Sequence, residues 1–538
     1  MKSLLFIKML IILLMTSAHA QQEASTQDEI TKISEVINLI STNYTDTVNK
    51  SKLIEGTIRL LLEQLDPHSV YRTPKEAKDD AATLYADHKG IGVTFRYFDD
   101  TLTVVAVAPQ SPAQKAGIRP GMKVNQINKV TVTNRILTAA DIKNIINKNL
   151  NDDTINLSYF KKKSIKNIII IKDTIRDNSI ESHYAPNDST IYIRIKRFTK
   201  NTYSDFDNVI STYNRKNRRN IIIDLRDNPG GALSSSIQIC NQFIANNMLI
   251  LSTRGLHQQN TNYFANSDGK LKTSRVCIII NENSASASEV VASSIQDSDR
   301  GIVIGRRSYG KGLTQQIIPL CDGSNIRLSN SRLYSPSGRC IQKQYIRGNS
   351  QDYFGELANR KKRLENICPD SIITDGLPTY QTVIKHRTVY GEMGVVPDLF
   401  VAEDTTSLPD FWESWKNCGT LENFVYEYMN TYRDTISSNY GTFKKFIQNF
   451  TVNDNIMDSL LLYAVTDTTD CLRTTSTSYK AAMMSPAGKL MKTYIKALIA
   501  RSQYGLSEFR QVLNADDNDV KTAINLVNNP TEYWKYIQ

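Results

Sequence analysis

The sequence predicts an α/β protein with a small β domain inserted ahead of its main sheet and helical regions at both ends. Three observations carry that reading. Between residues 173 and 402, apolar runs of strand length alternate with helical patterns. At Lys89 the apolar spacing changes from a helical period to that of strands. Residues 27–85, and those after about 405, repeat their apolar residues at helical spacing. The expected segments are therefore 1–20, 21–85, 86–172, 173–404 and 405–538.

Residues 1–20 are set apart from the fold. Lys2 and Lys8 flank an apolar stretch from Met9 to Met15, and Ala18-His19-Ala20 follows. A positive start, a short apolar core and an A-x-A end describe a secretory signal cleaved after Ala20. The apolar core is too short to span a bilayer. No Cys follows the cleavage point, so a lipid anchor there is not expected. The mature chain is expected to be exported, to the periplasm or beyond the cell.

In residues 27–85, Ile30, Ile33, Ile37 and Ile40 form one apolar helix face, and Ile54, Ile58, Leu61, Leu62 and Leu65 form the next. Asp66-Pro67 ends the second helix, because proline disfavours a helical residue before it. His68 is expected to cap that helix end.

From Lys89 the pattern runs Gly90-Ile91-Gly92-Val93, strands over Thr94–Phe98 and Thr101–Val107, then Ser111-Pro112-Ala113, Ala116-Gly117-Ile118 and Pro120-Gly121. A strand near Lys123–Ile127, a helix over Ala139–Lys148 and a second pair of strands close the unit near residue 172. This layout resembles a PDZ domain. The backbone N–H groups of Gly90, Ile91, Gly92 and Val93 would form a nest for a terminal carboxylate. The strand edge after them would pair with an extended peptide. Met122 departs from the resemblance, since an Asp usually follows this glycine.

Composition narrows the function classes. Of 538 residues, 40% are hydrophobic and 22% charged, which excludes a mainly disordered or collagen-like chain. The formal charge of +11 is spread along the sequence. The blocks Lys161–Lys163 and Lys361–Arg363 are short and lack interleaved aromatics, so they read as solvated surface and no nucleic-acid partner is expected. None of the seven cysteines forms a C-x-x-C pair, and no H-E-x-x-H motif occurs, so neither a metal nor a cofactor is expected. Cys240 and Cys277 lie in apolar runs and read as buried free thiols. Pairing among the others is open.

In the α/β segment, strands are expected at Ile191–Ile195, Asn220–Leu225, Met248–Ser252, Val276–Asn281 and Gly301–Gly305. Helices fit Tyr203–Asn214, Leu233–Ala245 and Ser286–Asp297. In the tail, Leu421, Phe424, Val425 and Tyr428 share a helix face, and Trp412 and Trp415 read as packing residues.

Chemistry is concentrated at two loops. Ser284-Ala285-Ser286-Ala287-Ser288-Glu289 sits at a strand-to-helix junction, where a hydroxyl is exposed and a helix N-terminus favours developing negative charge. Taken alone, such serines are more often helix caps. Tyr309-Gly310-Lys311-Gly312 lies on a tight loop between strands. A lysine drawn inward there would have its charged form disfavoured and could take the proton of a serine hydroxyl. Taken alone, it would more often be a solvated lysine. The histidines after the signal (His68, His88, His183, His257 and His386) lie in no segment that usually presents a catalytic imidazole.

With Leu65–Ser69, Ile191–Ile195, Asp224-Leu225-Arg226-Asp227-Asn228-Pro229-Gly230-Gly231, Ser284–Glu289, Tyr309–Gln315, Tyr334–Arg339 and Gly394–Asp398 in this order, the chain resembles the carboxyl-terminal processing peptidases, or tail-specific proteases, to about residue 402. The resemblance implies a crotonase- or ClpP-like spiral α/β core with an inserted PDZ domain. It implies Ser286 as nucleophile, Lys311 as general base and Gln315 as the residue supporting the lysine. Gly230 or Gly231, with Ala287, would supply oxyanion-hole amides. Asp224, Arg226 and Glu289 match family positions and are expected to serve as ion pairs or caps. Substrates would be protein tails with apolar C-termini, or unfolded proteins. An adaptor or activator protein, and homo-oligomers formed through the helical regions, remain open. Two other readings are a binding protein on the same core, like the retinoid-binding relatives, and a PDZ adaptor with a protease remnant. Both predict decay at Ser286, Lys311 and Gln315, which is not seen.

Overall fold

The computed structural model describes residues 27–85, 87–98, 100–108, 110–135, 137–147, 153–161, 164–176, 178–214, 220–466 and 474–537. The export signal expected at 1–20 lies outside them. They form two compact units: residues up to Lys78 with Gln315–Ser329 and Tyr345–Phe354, and the remainder. Among the described residues no helix is long and apolar enough to cross a membrane.

In the first unit, helix α1 (27–43) is followed by α2 (Lys50–Glu63), whose N-cap Asn49 accepts from Lys52 N–H. Of the apolar residues expected to line these helices, Leu62 is buried, whereas Ile30, Ile33, Ile54, Leu61 and Leu65 are exposed. The segment is not wholly helical. Strand β1 (Val70–Arg72) intervenes before α3 (Pro74–Tyr85) and pairs with Asn325–Arg327, a partner some 250 residues away that local periodicity cannot reveal. His68 does not cap the helix. Asp66 does the local bonding, accepting from His68 N–H at 2.8 Å and Ser69 N–H at 2.9 Å. The His68 ring instead meets the Tyr353 hydroxyl at 2.8 Å.

The second unit opens with a β domain. It comprises β2 (Asp87–Gly90), β3 (Val93–Phe98), β4 (Thr101–Val107), α4 (Pro112–Lys115), β5 (Lys123–Ile127), β6 (Val130–Thr131), α5 (Ala139–Asn147), β7 (Thr154–Lys161), β8 (Ser164–Ile171) and β9 (Asp173–Arg176). The sheet order is β3-β4-β5-β7-β8, so β3 forms one edge. The ladder of β2 with β9 carries the domain to Arg176, a few residues beyond the expected boundary at 172. Leu102, Val104, Val124, Ile127, Ile155 and Leu157 are fully buried in its core, and Met122 packs against them.

The α/β segment follows. Its elements are β10 (Ile180–Tyr184), β11 (Thr190–Ile195), α6 (Thr202–Asn214), β12 (Asn220–Asp224), α7 (Leu233–Asn241), β13 (Leu249–Gly255), β14 (Gln258–Phe264), β15 (Arg275–Ile280), α8 (Ala287–Asp297), β16 (Ile302–Gly305), β17 (Leu313–Pro319), β18 (Asn325–Tyr334), α9 (Ser350–Lys362), β19 (Thr379–Gln381), β20 (Thr388–Tyr390) and β21 (Leu399–Phe400). Strands order as β10-β11-β12-β15-β16-β21, all parallel after the antiparallel β10–β11 pair. Every residue of β11, β12 and β16 is buried, as a sheet covered on both faces requires. The expected strand Met248–Ser252 joins a different sheet, in which β13 runs antiparallel to β14 and to the end of β18.

The tail is not one region. Helices α10 (Asp410–Cys418), α11 (Thr420–Tyr440), α12 (Phe443–Asn449), α13 (Asp454–Thr466), α14 (Ser476–Met484), α15 (Pro486–Gln503) and α16 (Leu506–Asn514) share a core around Trp412 and Trp415. Helices α17 (Asn518–Asn528) and α18 (Pro530–Lys535) instead bury Val520, Ala523, Leu526, Val527 and Tyr533 against Ile222, Cys277, Ile279, Ile302 and Ile304 of the main sheet. Helices α6, α7 and α8 cover the opposite face.

Candidate active site

Parallel strands deliver their following loops to one sheet edge, and β12, β15 and β16 are adjacent and parallel. The three motifs that sequence singled out are those three loops: Asp224–Gly231 after β12, Asn281–Ser286 after β15, and Arg306–Lys311 after β16. Backbone bonds lace them together. Ala285 N–H donates to the Asn228 carbonyl at 2.9 Å, and Tyr309 N–H to that of Ser284 at 2.9 Å.

Ser286 is the N-cap residue of α8 and has φ 55°, a region that non-glycine residues rarely adopt. A sharp turn from strand to helix of this kind is suited to presenting a hydroxyl. Gly230 lies against it. A Cβ on Gly230 would sit 2.7 Å from Ser286 Cβ and 2.9 Å from Ala287 N, so only glycine lets the turn approach this closely.

Glu289, one turn into α8, is fully buried. Its Oε2 accepts from Ser286 N–H at 2.8 Å and from Lys311 N–H at 2.8 Å. The two backbone nitrogens therefore lie no more than twice that distance apart. Its Oε1 accepts from Gly310 N–H at 2.6 Å and from the Ser308 hydroxyl. Burial pushes the Glu289 carboxyl above its ordinary pKa, and the four donors oppose that rise. The expected cap is thus also a bridge between the two loops, a role visible only once both loops are placed.

The oxyanion candidates separate by bonding. Gly230 N–H is already taken by Asn228 Oδ1 at 2.8 Å. Gly231 N–H and Ala287 N–H meet no acceptor among the described residues. Asn228 is itself held by donating to the Ile195 carbonyl at 2.8 Å. Gln315 belongs to the first unit, where its side-chain amide donates to the His68 carbonyl.

The other motifs brace the loops. Asp224 is fully buried and bonded to Tyr192, Arg194 and Arg226. Burial alone would raise its pKa, but the guanidinium groups of Arg226 and Arg194 outweigh it and hold the carboxyl well below the usual range. Arg226 also pairs with Asp517 at 2.8 Å and Asp519 at 2.9 Å, at the start of α17. These partners lie far outside the recognised motifs, and no local signal marks them. Gly394 stands against Ser308, Gly310 and Glu289, where a Cβ would come within 3.1 Å of each. Arg339 forms a fully buried pair with Asp297 at 2.7 Å.

In the β domain, Ile91 is buried and Gly92 has φ 75°. A Cβ on Gly92 would lie 2.4 Å from that of Ser111, so this turn also requires glycine. Gly90 pairs with Asp173, and Val93 opens the edge strand β3. From β3, Phe98 stacks on Tyr426 of α11 with ring centroids 3.9 Å apart, and Arg96 donates to the Gly419 carbonyl at 3.4 Å.

Glu356 of α9 accepts from Arg360 at 2.7 Å, Arg307 at 3.0 Å and Lys343 at 3.1 Å. Burial works against its charge, but the Arg360 bond and the three cations prevail and hold its pKa at about 2, against an ordinary 4.5. The folded pKa is depressed, so the stability this group contributes is present above pH 4.5 and is lost as pH falls toward 2. That contribution is about 3 kcal/mol. Acid unfolding followed by circular dichroism should therefore begin at lower pH in intact protein than in Glu356→Gln, and the variant's stability should depend less on pH in that window.

A model of peptidase family S41 matches residues 189–351, which contain both Ser286 and Lys311. The N-terminal domain of the activating protease CtpB matches 13–75, and a family of unknown function matches 415–505. A carboxy-terminal-processing protease of Bartonella bacilliformis is 30% identical over 342 residues, which cover 63% of this chain and 78% of that one. The carboxy-terminal processing protease CtpB of Bacillus subtilis is 31% identical over 337 residues, covering 61% and 69%. The photosystem II D1 C-terminal processing protease aligns over 68% of this chain and 92% of its own at 18% identity, with a TM-score of 0.34 that leaves the sequence matches to carry the assignment. These matches define a serine-type peptidase. The chain belongs to peptidase family S41, the carboxy-terminal processing proteases.

Proposed function

We propose that the protein is an exported endopeptidase that cleaves protein tails or unfolded proteins with a Ser286–Lys311 dyad. The Glu289 carboxylate carries the reading, because one of its oxygens accepts the N–H groups of both residues. Lys311 Nζ takes the proton of Ser286 Oγ as the oxygen attacks the scissile carbonyl. The oxyanion receives the N–H groups of Gly231 and Ala287, and Gly230 shapes the turn that presents them. Lys311 returns the proton to the leaving amine, and water then hydrolyses the acyl-enzyme.

The β domain acts as a PDZ domain on the substrate's C-terminus, with Gly90, Ile91, Gly92 and Val93 holding the carboxylate and the β3 edge pairing with the tail. The position of β3 at the end of its sheet supports this. Export is supported by Cys418, which is disulfide-bonded, as an oxidising compartment allows. The exposed apolar faces of α1 and α2 favour a second copy or an adaptor protein as partner.

The test is incubation of the chain from Gln21 with an unfolded protein ending in apolar residues, beside the same protein with an amidated C-terminus. Amidation removes the charge the nest would hold, and KM should rise about tenfold with kcat little changed. Equal KM values would remove the β domain from substrate recognition. Binding of the tail without any cleavage would turn the reading to an adaptor.

A further inference from the structure

The loop that carries Lys311 is flanked by Gly310, with φ 91°, and Gly312, so its own sequence gives it little rigidity. Its carbonyls point into the protein and must find donors there. A single side chain supplies most of them. Arg360, 3% exposed, donates through Nη1 to the Ser308 carbonyl at 2.6 Å and the Arg307 carbonyl at 3.4 Å, and through Nη2 to the Tyr309 carbonyl at 3.1 Å. The next carbonyl, of Gly310, accepts from Lys343 N–H at 2.9 Å.

The guanidinium is fixed in turn. Its Nε donates at 2.7 Å to Glu356, one turn earlier on α9. Glu356 also holds Arg307 and Lys343, and the Lys343 ammonium lies 4.3 Å from the centre of the Tyr309 ring. Arg307 has a second carboxylate, Glu365, at 2.8 Å. Three charged residues from α9 and the segment after β18 thus close on the outer side of the loop, while Glu289 holds its N–H groups from within. In sequence Arg360 sits at the head of a basic run, Arg360-Lys361-Lys362-Arg363, and is indistinguishable from its solvated neighbours.

We propose that Arg360, anchored by Glu356, is a positioning residue for Lys311. It touches no reacting atom. It fixes the three peptide units ahead of the lysine, and so the direction from which Nζ reaches the Ser286 hydroxyl. This rests on the reading of Lys311 as general base. A planar fork with donors on three nitrogens can hold Glu356 and the loop carbonyls together, whereas a lysine ammonium on a single chain end cannot span them.

The test compares intact protein with Arg360→Lys, Glu356→Gln and Lys311→Ala. The measurements are kcat and KM on an unfolded substrate, the rate at which a fluorophosphonate labels Ser286 as a function of pH, and the melting temperature. For Arg360→Lys, kcat and the labelling rate should fall about 10- to 100-fold with KM within about twofold, the loss expected of a catalytic group displaced by about 1 Å. The pH dependence of labelling should also change, because the surroundings of the proposed base are altered. Glu356→Gln, which keeps the fork but weakens its anchor, should shift both readouts in the same direction by less.

A melting curve reporting the folded fraction at assay temperature separates positioning from collapse. Loss of activity matched by loss of folded protein, with an unmoved pH midpoint, would overturn the proposal, as would full activity in Arg360→Lys. If Lys311→Ala itself retained intact-protein activity, the reading of Lys311 would fail instead. An inactive Lys311→Ala beside a fully active Arg360→Lys would leave that reading standing and remove only the brace.

Discussion

Ser286→Ala is expected to lower cleavage by at least about 10⁴-fold while leaving the melting temperature nearly unchanged. The substitution deletes one oxygen at a half-buried position and keeps the Cβ against which Gly230 packs. The φ of 55° is equally awkward for Ser and Ala, so backbone strain does not distinguish them. On the proposed mechanism Lys311→Ala should give a comparable loss, since a nucleophile and its base act as one unit and their effects do not add. A gel of an unfolded substrate and fluorophosphonate labelling read both variants. Cleavage that survives Ser286→Ala would place the nucleophile elsewhere, and the hydroxyls of Ser284 and Ser288 would not be the replacement. Both are fully buried, donating to the Leu225 and Asn228 carbonyls.

The second large effect is expected at Glu289. Glu289→Gln keeps the volume but leaves one acceptor oxygen where four donors now share two. At least one backbone N–H of the two active loops would face an NH₂ group instead of an oxygen. Stability should fall by about 2–4 kcal/mol, from buried hydrogen bonds to a charged acceptor. Activity should fall about 100-fold or more, because Ser286 and Lys311 lose the atom that fixes their spacing. Melting temperature and kcat, measured on the same preparation at a temperature where the variant is folded, separate the two losses. Unchanged kcat in the folded variant would show that the dyad keeps its spacing without this bridge.

The chemistry-bearing motifs were legible because each is local. A strand running into Ser284–Glu289, a glycine-flanked Lys311 and the Asn228-Pro229-Gly230-Gly231 turn can be read from adjacent residues. So could the main strands, whose isoleucine-rich runs announce burial on both faces. The covering of those faces was not legible in the same way. Helices α6 to α8 follow the strands they cover, but α17 and α18 come from the far end of the chain, and a helix pattern does not say which sheet it will meet. For the same reason 405–538 read as one helical region, and Met248–Ser252 as part of the main sheet.

At the site the division is sharper. Sequence by itself determined which side chains are proposed for the reaction and that they lie on loops after strands. It also marked where glycine was required. Only the tertiary structure decided what each loop rests on: Glu289 joining Ser286 to Lys311, Asn228 occupying the Gly230 amide, Asp517 and Asp519 holding Arg226, and Arg360 gathering the carbonyls ahead of Lys311. The physical reason is that a buried polar backbone must be satisfied by whatever the fold brings near it, and that partner carries no mark in the residues on either side.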